Sequence, residues 1–204
     1  MSNLIPRRST DVIRVVGFDP SLRNWGIAKG IYIPMSGIIE IEEMAVTKAL
    51  INDGKQVRQN SQDLEAASQL AKAAIEAAQG AQAIFVEVPV GSQSARAMAS
   101  YGVCVGVLGA LRAMGIPFFE VNPQEVKLAT GLTKTASKAQ MIAWAMSAQP
   151  NAKWPMQTKK GVQSVVESTA EHMADACAAI YAGILSNPFQ QALAFIKPAN
   201  QSTN

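Results

Sequence analysis

Four side chains in this sequence combine a metal-ligating type with a placement that could hold a divalent cation: Asp19, Glu87, His172 and Asp175. Asp19 closes the apolar run "VIRVVGFD" and enters a Pro-Ser turn. Glu87 stands near the end of a second apolar run, "QAIFVEV", just before Pro89 and Gly91. An Asp before Pro also suits a plain turn. If the two runs are parallel neighbouring strands, however, both carboxylates emerge at one sheet edge, where open α/β sheets place ligands. Like charges raise each other's pKa, so the pair needs a counter-charge. Mg²⁺ or Mn²⁺ supplies one.

The segment "STAEHMADACAA" offers further ligands. His172 and Asp175 are three apart and share a helical face; Glu171 and Asp175 are four apart and share one too. His172 is the only histidine in the chain. A lone histidine among apolar residues is commonly a filler, but beside Asp175 it becomes a ligand candidate. Ser168 to Glu171 has the form of a capping box, which gives Glu171 a structural role instead.

A basic stretch lies between these acids. From Val126 to Val166 there is no Asp or Glu, and the stretch holds Lys127, Lys134, Lys138, Lys153, Lys159 and Lys160. Such a block is either a solvated face or a surface for phosphates.

The elements that must position these groups follow from apolar periodicity. Residues 12–19, 23–33 and 37–47 read as strands, the last two joined by the turn "PMSG". Residues 57–79 read as an Ala-rich helix ended by Gly80, and 82–88 as a buried strand. A long helix is expected from about Ser92 to Met114, then a strand over 117–121. Asn122 and Pro123 open a short helix, and Ser137 caps another. A loop with Pro150, Trp154, Pro155 and Gly161 leads to a last helix over about 169–185. The expected fold is α/β, a mixed five-stranded sheet flanked by helices. Residues 1–186 form one domain, and 187–204 read as a polar, flexible tail.

Composition agrees with a globular chain. It has 204 residues, 49% hydrophobic and 16% charged, with a formal net charge of +3. No apolar run reaches the ~18 residues of a membrane span. "MSNLIPRRST" lacks the apolar core of a signal peptide. Cys104 and Cys177 sit far apart in apolar stretches and read as buried free thiols. A soluble protein of a reducing compartment is expected.

Four blocks in order resemble the RuvC-type Holliday junction resolvases, endonucleases of ribonuclease H-like fold. "VVGFDPSLRNWGIA" is similar to the family's first strand, with the catalytic Asp at Asp19. "IFVEVPVGSQSARAM" is similar to the fourth strand, with the catalytic Glu at Glu87, and to the dimerisation helix that follows. "VNPQEVKLATGLTKTASKAQM" is similar to a Pro-x-x-Val-Lys segment with a second lysine eleven residues on, here Lys127 and Lys138. "EHMADACAAI" matches the closing helix, with the ligand pair at His172 and Asp175. Val90 stands where the family often has an aromatic three residues after the catalytic Glu. The segment 149–167 and the tail also depart from the cellular enzymes, which marks a divergent member, of phage type or otherwise.

The resemblance implies a crossover junction endodeoxyribonuclease that cuts four-way DNA by paired symmetric nicks. It implies two Mg²⁺ ions per site, with Mn²⁺ also serving, held by Asp19, Glu87, His172 and Asp175. Two ions about 3.5–4 Å apart clamp an in-line displacement at phosphorus. Lys127, with a catalytic role, and Lys138 would hold phosphates, as would Lys134. Symmetric cutting argues for a twofold homodimer through helix 92–114, whose Ala and Gly residues permit close approach. The location implied is the cytoplasm of a bacterial cell or phage-infected host. Two alternatives stand beside this reading: a ribonuclease H-like nuclease of forks, flaps or hybrids, and a non-catalytic junction-binding protein. An actin-like kinase also ends its first strand in Asp, but the chain is too short for two lobes.

Overall fold

The computed structural model describes residues 12–51 and 58–196. One mixed sheet of five strands has the order β3-β2-β1-β4-β5. Strands β1 (Ile13–Asp19), β2 (Asn24–Ile33) and β3 (Ile38–Lys48) form an antiparallel meander. Strands β4 (Ala83–Glu87) and β5 (Phe119–Val121) add on parallel to β1. These are the five expected strands, and the α/β reading holds.

Period-two alternation in β1 divides the core into two layers. Val16 and Phe18 face helices α1 (Gln59–Ala78) and α2 (Ala95–Ala113), among Leu70, Cys104 and Leu108. Ile13 and Val15 face helix α5 (Glu167–Leu185) on the other side, against Ala176 and Ile180. Helices α3 (Pro123–Ala129) and α4 (Lys138–Ala148) pack around α5 through Val126, Met141, Ile142 and Ala145. From Ala176 onward α5 is buried on nearly every side, and its run of Ala, Ile and Gly fits that place. Its acids and its histidine are confined to its first three turns. Among the described residues, no helix is long and apolar enough to cross a membrane.

The helix ends follow the expected chemistry. Gly80 and Gly115 adopt positive φ just past α1 and α2. Asn122 and Ser137 each cap a helix in a reciprocal box with Glu125 and Gln140. One clamp ties the α1–α2 layer together. Asp63, buried on α1, accepts two bonds from Arg96 of α2 (2.7 and 2.9 Å) and one from Arg23 before β2 (3.2 Å). Cys104 and Cys177 are buried and unpaired, and burial pushes both thiols up to about 12.

Three sequence expectations are corrected. The expected polar tail begins instead as helix α6 (Asn187–Ile196). Phe189 and Leu193, four apart, bury one face of it, and Phe189 meets Tyr32, Phe85 and Phe119 edge-on at 6.1, 5.1 and 5.4 Å. Residues 197–204 of that tail, and the N-terminal stretch 1–11, lie outside the described residues. The loop before α5 contains a separate hairpin, β6 (Met156–Lys159) and β7 (Val162–Val165). Ser168 and Glu171 form no capping box: α5 starts after Val166, and no side chain caps it.

Candidate active site

The sheet brings Asp19 and Glu87 together by register. Val15 stands opposite Ala83 and Gly17 opposite Phe85, so continuation of the ladder sets Asp19 beside Glu87. Both residues continue the odd-numbered positions that face α5. The sheet can approach α5 closely there because it carries glycine. A Cβ at Gly17 would run into the Ala176 carbonyl, and one at Gly26 into the His172 carbonyl. Gly26 is the β2 partner of Asp19, so no side chain separates that carboxylate from the helix.

The first half of α5 completes the site. His172 Nδ1 lies 2.6 Å from Asp19 Oδ2, and His172 Nε2 lies 3.7 Å from Glu171 Oε1. Lys138, the first residue of α4, places Nζ 2.5 Å from the other oxygen of Glu171. Asp19, Glu87, Lys138, Glu171, His172 and Asp175 all line one cleft of about 240 Å³. Ser21, Val90 and Tyr101 form part of its rim.

The electrostatics show an excess of negative charge. Burial, reinforced by Asp19 and Asp175 and opposed by Lys127, pushes Glu87 up to about 9. Burial also raises Asp175 to about 7, with Asp19 and Glu171 adding to the rise while His172 and Lys127 oppose it. For His172, burial alone favours the neutral ring. The hydrogen bond and charge of Asp19, with Glu171 and Asp175, outweigh it and raise its pKa above the ordinary value. Lys138 is likewise held charged, first by its bond to Glu171.

As the side chains stand, no three His, Cys, Asp or Glu groups among the described residues enclose a point where an ion would sit. The fit to a divalent cation lies in donor type and charge. The carboxylate oxygens suit Mg²⁺ or Mn²⁺, and the one imidazole nitrogen favours Mn²⁺ over Mg²⁺. Acids that hold protons because they are buried, and because they repel one another, would release them to a cation.

Of the residues singled out in the sequence, Asp19, Glu87, His172, Asp175 and Lys138 meet in the cleft. Lys127 on α3 does not line it, but its charge reaches both Glu87 and Asp175. Lys134 is exposed on the turn between α3 and α4, outside the cleft. Glu171 reads in the sequence as a cap; its spacing of four from Asp175 is the signal that it faces the site. Tyr101 is the residue that sequence reasoning misses. It brings an aromatic ring from α2 to the cleft, beside the loop that carries Val90. A larger groove of about 550 Å³ lies elsewhere, between β3 and the chain after α4, and holds none of these groups.

Compared by sequence, the chain matches no protein-family model and no curated protein. Compared by structure, it is similar to RuvC of Thermus thermophilus, with a TM-score of 0.56 at 17% identity, over 89% of this chain and 97% of that one. It is also similar to T. thermophilus RuvC in complex with Holliday junction substrate, with a TM-score of 0.55 at 15% identity, over 89% and 96%. The sheet order, the helix layers and these two matches agree on one conclusion: the chain has a RuvC-like, ribonuclease H-like fold.

Proposed function

We propose that this chain is a metal-dependent endodeoxyribonuclease that resolves four-way DNA junctions by paired symmetric nicks, acting as a homodimer. The observation that carries this is the meeting of Asp19, Glu87, His172 and Asp175 in one cleft at the C-terminal edge of a RuvC-like sheet. The structural neighbour seen with a Holliday junction supports branched DNA as the substrate.

Asp19, Glu87, His172 and Asp175 would hold two Mg²⁺ ions, with Mn²⁺ as a substitute. Such ions, when bound, activate water and stabilise the leaving oxygen of a phosphodiester displacement. Asp19 stands centrally, at the end of a strand paired on both edges, which gives its carboxylate a rigid seat. His172 orients it through the 2.6 Å bond. Glu87, half-buried at the end of β4, faces into the same cleft. Lys127 and Lys138 place positive charge beside the acids, where the scissile phosphate must enter. Lys138 would exchange Glu171 for that phosphate. Lys134, further out, would hold a neighbouring one.

Symmetric cutting needs two such clefts. The outward face of α2 supports an interface: Met98, Gly102, Val105, Gly106 and Gly109 are all exposed, and nothing stands within 4 Å of a Cβ built at any of the three glycines.

Cleavage of a synthetic four-way junction, mapped on all four strands with and without Mg²⁺, tests this reading. We expect metal-dependent nicks at symmetry-related positions. Cutting of forks or RNA–DNA hybrids without junction cutting would make it a different nuclease of the same fold. Junction binding without any cutting would make it a binding protein.

A further inference from the structure

The hairpin β6–β7 stands apart from the sheet, and every residue from Thr158 to Ser164 is exposed. Its root is fixed. Val166 N–H donates to the Pro155 carbonyl at 2.7 Å, and Trp154 donates to the Gln149 carbonyl at 3.1 Å. Trp154 and Val165 pack on Ile142, Ala145, Ala170 and Ala174 of α4 and α5. This is therefore a supported projection on the helix that carries Glu171, His172 and Asp175.

The tip has its own conformational signature. Lys160 has φ 50° and Gly161 φ 77°, and they form the two-residue loop between Lys159 and Val162. Positive φ at both central positions is the hairpin geometry that favours Asn-Gly or Asp-Gly. Lys160 is the only described non-glycine residue with positive φ. The tip thus keeps a cation where local conformation favours another residue. Neither Lys159 nor Lys160 has an ion-pair partner among the described residues. The nearest acid before them in sequence is Glu125, and the nearest after them is Glu167.

The distances suit a duplex. The root lies about 7 Å along α5 from Glu171. The strands extend about 13 Å. Together these lengths put the tip at most about 20 Å from the turn of α5 that carries Glu171, less than one turn of duplex, ~34 Å.

We propose that the hairpin is a DNA arm: Lys159 and Lys160 bind backbone phosphates of the duplex flanking the strand held in the cleft. This rests on the reading of the chain as a junction nuclease. Thr158, Gln163 and Ser164 supply neutral hydrogen-bonding groups on the same exposed hairpin. Binding of this kind positions the DNA without reading its sequence.

The test uses the full chain and a labelled four-way junction, with affinity measured in EDTA across a salt series and cleavage measured in Mg²⁺. The variant is Lys159→Gln with Lys160→Asn, since Asn tolerates the positive φ. We expect weaker binding and a salt slope smaller by about 0.9 for each phosphate no longer neutralised. For two phosphates, the fall in affinity between 50 and 200 mM salt shrinks by roughly tenfold. The cleavage rate at saturating protein should match the parent, and Lys159→Arg with Lys160→Arg should restore affinity. Matching melting curves separate these effects from misfolding. A parent chain that binds the junction, with a neutral variant of the same affinity and slope, would overturn the arm alone. A parent chain with no affinity for the junction would overturn the arm and the nuclease reading together.

Discussion

Asp19 joins strand, helix and cleft, so its substitution separates binding from chemistry. Asp19→Asn keeps the shape and loses the charge. Cleavage should vanish while junction affinity in a gel shift stays near the parent value, because on the proposed reading the lysines, not Asp19, would hold the phosphates. Full activity in the variant would remove Asp19 from the site. His172 has two candidate tasks, as a ligand and as the group that orients Asp19. His172→Ala removes both, and the rate should fall at low Mn²⁺ and recover in part at high Mn²⁺. The apparent metal affinity should drop by about 10–100-fold. An unchanged rate with an unchanged metal dependence would deny the histidine both tasks.

The elements fix how far these side chains can stray. Gly26 lies against the His172 carbonyl, which is backbone and cannot swing aside. Gly26→Ala must therefore push α5 from the sheet. We expect a loss of about 1–3 kcal/mol in stability. A displacement of about 1 Å at the site costs on the order of 10² in rate. Thermal melting and single-turnover cleavage on one preparation check both; a parent-like rate would show that the site tolerates the shift. The strands and helices that hold the site are legible in the sequence because apolar runs and caps such as Asn122-Pro123 announce themselves. What is not legible has physical causes. In β6–β7 the alternation is weak, since both faces are exposed, and only Lys160-Gly161 between two short polar runs marks the turn. In α6 the pair Phe189 and Leu193 is present, but Gln, Asn and Ser around it mask one apolar face. Glu171 is ambiguous because a cap and a cleft residue share the same spacing. The approach of Gly26 to α5 is tertiary, so no local pattern could reveal it.

The whole molecule adds two expectations. The α2 face should pair two chains, so the protein should sediment as twice the 21.7 kDa chain. Gly106→Arg should make it monomeric and uncouple the two nicks; a parent that sediments as a monomer on DNA and off it would sink the pairing. The Asp63 clamp gives a pH dependence. Arg96, followed by Gln59 and Arg23, holds this carboxyl below 3.8 despite its burial. Its contribution is full above pH ~4 and is lost as pH falls through the depressed folded value. Asp63→Asn should melt a few degrees lower at pH 7, with the gap closing below pH ~4. A gap independent of pH would show that the charge is not what stabilises the layer. The order of the elements along the chain has a consequence in time. β1 ends at Asp19, whereas α5 begins only at Glu167. Asp19 is translated early and waits for its partners. A nascent or stalled chain that ends before α5 has strand acids but no His172 or Asp175, and no α5 to cover the second face of the sheet. On the proposed reading, the cutting centre would be assembled late in synthesis, and an unfinished chain would be no hazard to the DNA around it.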